Sequence, residues 1–96
     1  MRNLDLTECV SFRALISQRG IRPPRFKTNL EAMEAVELMA TTCELGDRVL
    51  AFGRSGQISG QQEEALLQDL ITCFTSPVEN AGRVLEIGKE LREYEK

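Results

Sequence analysis

Apolar residues recur every three or four positions along most of this chain, and capping signals cut the pattern into segments. The clearest start is Ser76-Pro77-Val78-Glu79. Ser76 can accept from the free donors of a first turn, Glu79 can reciprocate, and Pro77 fits the first helical position, where its missing N–H costs nothing. Val78, Ala81, Val84, Leu85, Ile87, Gly88, Leu91 and Tyr94 then make a wide apolar stripe, opposed by Glu79, Arg83, Glu86, Glu90 and Glu93. The spacing predicts a helix over 77–94. Ser59 and Gln62 repeat the capping-box spacing, and Leu66, Leu67, Leu70, Ile71, Cys73 and Phe74 share one face of a helix from about 60 to 74. Residues 53–60 hold three of the seven glycines and read as a loop.

The longest segment opens at Thr28, with Glu31 again at capping-box distance, and Gly53 follows its last apolar residue as a stop signal. A helix over 29–52 would run roughly 36 Å. It carries two apolar stripes: Met33, Val36, Ala40, Cys43 and Leu50 on one side, Leu38, Leu45, Val49 and Phe52 on the other. Glu34, Glu37, Thr41, Glu44 and Arg48 form the polar strip between them. A helix apolar on two sides needs neighbours on two sides, so this segment is expected at the centre of the fold. Gly46 lies inside it, at a propensity cost near ~1 kcal/mol, and would permit a close approach or a slight bend.

The first segment fits two periods. As a helix, Asp5-Leu6-Thr7-Glu8 gives a capping box, and Leu6, Cys9, Val10, Phe12 and Ile16 share a face. As a strand, Val10, Phe12, Ala14 and Ile16 alternate with more polar positions. The lack of a second strand to pair with it favours the helix. Gly20 would end it, and Pro23-Pro24 blocks continuation. The pattern as a whole predicts one all-α domain over 1–96, a small bundle of three to four helices around a long central one. Residues 1–28 supply the first helix and a proline-containing connector, and 29–96 the helical core.

Composition narrows the chemistry. Hydrophobic residues make up 42% and charged residues 28%, ordinary values for a folded globular domain. Four Phe, one Tyr and no Trp leave the core to aliphatic side chains. No apolar run reaches the ~18 residues of a membrane span, and the N-terminus lacks a signal-peptide pattern, so a cytoplasmic protein is expected. Cys9, Cys43 and Cys73 lie far apart within apolar patterns and read as small buried hydrophobes. With no histidine in the chain, neither a zinc site nor a Ser-His or Cys-His pair can be assembled in the usual ways. Gly53-Arg54-Ser55-Gly56 lacks the lysine and preceding strand of a phosphate loop. No catalytic residue, cofactor or metal is expected.

Net charge is −3, but it is divided. Residues 1–28 hold six cations and two acids, for +4, and residues 29–96 hold six cations and thirteen acids, for −7. The basic stretch 19–27, with Arg19, Arg22, Arg25 and Lys27, could meet phosphates, which makes a nucleic-acid accessory role one alternative. Thirteen carboxylates on the body oppose a duplex, and no helix shows a row of cations fit for the major groove. Self-docking of the arm on the acidic body is a sufficient account of most of its charge. Ile21 and Phe26 are apolar groups that a connector does not need, and they are expected to pack on a neighbour.

The surplus of apolar surface points to protein–protein association, most simply a homodimer using one patch twice. The helix over Thr28–Phe52 and the helix opened by Ser76-Pro77-Val78-Glu79 resemble those of the small bacterial anti-activators of quorum sensing, of the TraM or QslA kind, which bind LuxR-type transcription regulators. The resemblance covers under half of the chain and implies no catalysis. It implies that an apolar helix face occupies the regulator's own interaction surface. Secretion chaperones and adaptor subunits share the pattern. The candidate partner-binding residues are the apolar anchors Leu38, Leu45, Val49 and Phe52, or Val84, Ile87, Leu91 and Tyr94. Ile21 and Phe26 on the connector join them, with Arg22 and Arg25 as orienting charge at the rim.

Overall fold

A computed structural model describes residues 11–95. Among these it shows four helices and no strand: α1 Phe12–Gln18, α2 Asn29–Ser55, α3 Gly60–Thr75 and α4 Ala81–Tyr94. The all-α bundle with a long central helix is therefore correct. Residues 12–18 are helical, as the unpaired-strand argument requires, with Ser11 as N-cap: its Oγ accepts the Ala14 N–H at 3.1 Å. The capping box at Asp5–Glu8, together with Leu6, Cys9 and Val10, lies outside the described residues.

Two boundaries differ from the sequence reading, each for a local reason. α2 does not stop at Gly53 but runs to Ser55, because the left-handed conformation that closes it belongs to Gly56, at φ +79°. There the Gly56 N–H bonds the Gly53 carbonyl and the Gln57 N–H the Phe52 carbonyl, a Schellman close. α1 closes in the same way: Gly20 at φ +70° donates to Ser17 and Ile21 to Ile16. The apolar contact that accompanies such a motif accounts for Ile21, which packs partly buried against the core.

The second difference concerns Ser76. Instead of opening a helix at 77, Ser76 ends α3 and its carbonyl accepts both the backbone N–H and the side-chain amide of Asn80. Pro77 is fully buried, and residues 77–80 wind as a turn with i→i+3 bonds from Asn80 to Pro77 and from Ala81 to Val78. α4 therefore starts at Ala81, four residues later than the spacing predicts. At Ser59 the reading holds in full: Gln62 N–H donates to Ser59 Oγ at 3.1 Å and Ser59 N–H to Gln62 Oε1 at 2.9 Å.

α2 packs against each of the other three helices. One apolar cluster joins Phe12, Leu15 and Ile16 of α1 to Cys43, Leu45, Val49 and Leu50 of α2, to α3, and to Val84, Ile87 and Leu91 of α4. The resulting molecule is a slab of 41 × 39 × 16 Å. α1 is held in two ways. Its first N–H, on Phe12, donates to Asp47 Oδ1 at 2.7 Å, and the Phe12 ring lies on Gly46, where a Cβ would overlap the ring. Gly46 is thus a docking notch and not a bend.

This notch gives a paired prediction. Gly46→Ala gains ~1 kcal/mol in helix propensity but forces Phe12 out of its site, at ~1–3 kcal/mol. Net destabilisation is expected in urea unfolding. Gly88→Ala, whose Cβ would meet only Leu45 at an ordinary 3.9 Å, is expected to stabilise by up to ~1 kcal/mol.

Candidate interaction surface

The 27 residues of α2 span roughly 40 Å, whereas the 16 residues of α3 and the 14 of α4 span roughly 24 and 21 Å. The short helices cannot cover the long one. Buried positions on α2 concentrate accordingly in its second half, at Thr42, Cys43, Leu45, Gly46, Val49 and Leu50, with Ala35 alone in the first. On one face of the first half, three large apolar residues are more than half exposed: Leu30 at 68%, Met33 at 69% and Val36 at 59%. They follow one another at helical spacing, and exposed Ala40 continues the row. Leu85 on α4, 67% exposed, is the other large exposed apolar group on a helix, and it stands singly.

Of the two stripes read on this helix, the one chosen as partner surface is the buried one. Leu45 and Val49 sit in the core, and Leu38 and Phe52 are half-buried. Val84, Ile87 and Leu91 are essentially inaccessible. These side chains form the bundle's own interior, because α4 lays its stripe on α2 and leaves no surface there to offer. Tyr94 is a latch: its ring tilts against Phe52 at 6.1 Å between centroids, its hydroxyl accepts from Gln62 Nε2 and its carbonyl from Gln57 Nε2. Met33 and Val36, placed in the other stripe, are the exposed pair.

The connector is as basic and open as its sequence suggests. Residues 21–26 have no regular structure, and Arg19, Arg22, Arg25 and Lys27 are exposed. Among the described residues none of these four makes an ion pair, so no salt bridge ties the arm to the acidic body. Phe26 is half-buried outside the core cluster. Beside the apolar row, Glu34, Glu37 and Glu44 are exposed on α2 and also carry no ion pair among the described residues.

Several other polar groups are engaged within the bundle. Arg83 bonds Asp69 across from α4 to α3, and reaches Glu90 at 3.3 Å and Glu86 at 3.4 Å on its own helix. The hydrogen bond its guanidinium donates to Asp69, with the nearby carboxylates, holds it charged, with its pKa raised. Buried Thr42 donates its hydroxyl to the Leu38 carbonyl at 2.7 Å. Burial pushes the Cys43 and Cys73 thiols above their ordinary range, so neither is an activated nucleophile. Among the described residues no group of three or more His, Cys, Asp or Glu could hold a metal ion, and no helix is long and apolar enough to cross a membrane.

No family model matches the chain, and no curated protein or solved structure matches it either. The surface itself therefore carries the functional argument.

The distinction between the two stripes is testable by charge insertion. Leu45→Asp or Val49→Asp buries an unpaired carboxylate in the core and is expected to abolish the cooperative unfolding transition. Met33→Asp/Val36→Asp is expected to change the urea midpoint little and to keep the circular-dichroism helix content, because both side chains already face solvent.

Proposed function

We propose that this protein is a non-catalytic interaction module that binds another protein through the protruding first half of α2. Leu30, Met33 and Val36 form the apolar centre of that face, and the cations of residues 19–27 form its rim. The observation that carries the reading is the exposure of these three consecutive row members on a helix whose buried positions lie mostly in its other half. A preformed helix with an apolar row suits helix-in-groove recognition, in which anchors three and four residues apart enter one cleft. In the anti-activator reading, the partner is a transcription regulator and the face occupies the surface that the regulator needs for its own assembly. Regulation by occupation asks for no catalytic group, and the buried thiols and internally paired Arg83 offer none.

Photo-crosslinking tests this reading. A benzophenone residue at position 33 of the full chain is expected to give a discrete protein adduct in native extract, and the same residue at exposed Gln68 on α3 is not. No adduct at position 33 would remove the basis for an interaction module on this face.

The unpaired cations of the connector favour a second reading, a nucleic-acid accessory protein. Duplex binding that weakens steeply with salt, and that disappears in Arg22→Ala/Arg25→Ala, is its signature. Weak binding insensitive to that double substitution is expected instead, because the acidic body opposes the duplex.

A further inference from the structure

Three features lie within one short stretch of chain: an exposed apolar row, an exposed acidic strip beside it, and an exposed basic arm leading into it. The acids Glu34, Glu37 and Glu44 and the cations Arg22, Arg25 and Lys27 are all free of ion pairs among the described residues. Within one copy the two charge sets do not meet. We infer that the occupant of this face is a second copy of the chain, paired antiparallel along the first halves of the two α2 helices. This rests on the reading above that the face is the working interface, and names its resting occupant.

Charge fixes the direction. In a parallel pair, arm would lie beside arm and acidic strip beside acidic strip, which is repulsive at every step. In an antiparallel pair centred between Met33 and Val36, the start of one α2 lies beside residues 37–44 of the other. Arg25 and Lys27 of one copy then face the second copy's Glu37 and Glu44, and the two-fold axis repeats the contact. Met33 and Val36 cross at the centre, where the two apolar rows close over each other.

Area requires the arm as well. A stable interface removes ~800 Å² from each partner, and a row of Leu30, Met33, Val36 and Ala40 falls short of that alone. Phe26, half-buried between Arg25 and Lys27 and outside the core cluster, supplies the missing apolar contact as the arm folds onto the second copy. A polyanion is the poorer occupant of the same place. It would satisfy the arm but meet Glu34 and Glu37 at the apolar row. A membrane surface of anionic lipid fails for the same reason.

The pairing also gives the proposed regulation a physical form. If the row that self-associates is the row that engages a regulator, the two occupants exclude each other, and dilution or a tighter partner opens the dimer.

Equilibrium ultracentrifugation of the full chain, with circular dichroism as the folding control, tests the pairing by charge exchange. The unaltered chain is expected to sediment as a dimer that weakens with added salt. Arg25→Glu/Lys27→Glu and Glu37→Arg/Glu44→Arg are each expected to weaken it roughly tenfold or more while retaining helix content. An equal mixture of the two variants is expected to dimerise again, since only the mixed pair sets opposite charges face to face. A folded chain that stays monomeric, a dimer indifferent to both variants, or a mixture that does not recover would each overturn the inference. Crosslinking at position 33 separates this failure from that of the interaction reading. A monomer that still crosslinks a different protein loses only the second copy, whereas a monomer that crosslinks nothing loses both.

Discussion

The seating of Phe12 on Gly46 determines where α1 lies on α2, and with it which half of the central helix is enclosed. The notch admits an aromatic ring only because position 46 lacks a Cβ, and Asp47 in the next position accepts the first N–H of α1. A shape constraint and a directional bond therefore act at one point. Together they press α1 against the second half of α2, on which α3 and α4 also pack to form the single apolar cluster. A short helix of seven residues has little independent stability, so its place depends on this docking. On the other half Ala35 is fully buried and Met39 packs against the cluster, while Leu30, Met33 and Val36 stay exposed.

That asymmetry connects packing to function. A helix of 27 residues served by neighbours of 16 and 14 must overhang, and the overhang here is not polar throughout. Singly exposed apolar side chains such as Leu85 are ordinary on protein surfaces and require no explanation. Leu30, Met33 and Val36 differ because they are contiguous at helical spacing, and because exposed charges of both signs that make no ion pair among the described residues lie near them in the chain. Arg83, by contrast, is paired within the bundle, with Asp69, Glu86 and Glu90.

How far the sequence discloses this follows from the range of each signal. Helix existence is written locally, in the three-and-four spacing, and Ser59–Gln62 gives both bonds of its box. Boundaries depend on which of two adjacent signals wins. Gly53 and Gly56 are equivalent as letters, but Gly53 stays helical and Gly56 takes the left-handed conformation. Ser76 with Pro77 has the composition of a helix start, yet it serves to end α3 because Pro77 is drawn into the interior. Which positions of α2 are buried is a tertiary fact: Cys43 and Leu50 of one stripe lie in the core, while Met33 and Val36 of the same stripe are exposed. Both stripes are apolar, and periodicity alone does not say which one α4 will take. Asp47 gave no signal either, since its acceptor role is set by a residue 35 positions away.

The overhang is also an energetic statement about binding. An isolated helical stretch of a dozen residues is marginal in water, because its first turn must be nucleated at a loss. Here the packed half of α2 provides the nucleus, and Thr28 caps the far end by accepting the Glu31 N–H at 3.1 Å. Ala, Leu, Met and Glu, all good helix formers, fill most of the first two turns between these anchors. The face is held in helical form before anything binds it. A partner consequently meets a surface whose backbone ordering is already complete, and the affinity depends on side chains and charge instead of on folding a flexible segment. The connector is the opposite case: residues 21–26 lack regular structure, so engaging the arm costs entropy that its cations and Phe26 must offset. In the proposed complex the preformed helix would supply the persistent contact, and the arm the orientation and salt sensitivity.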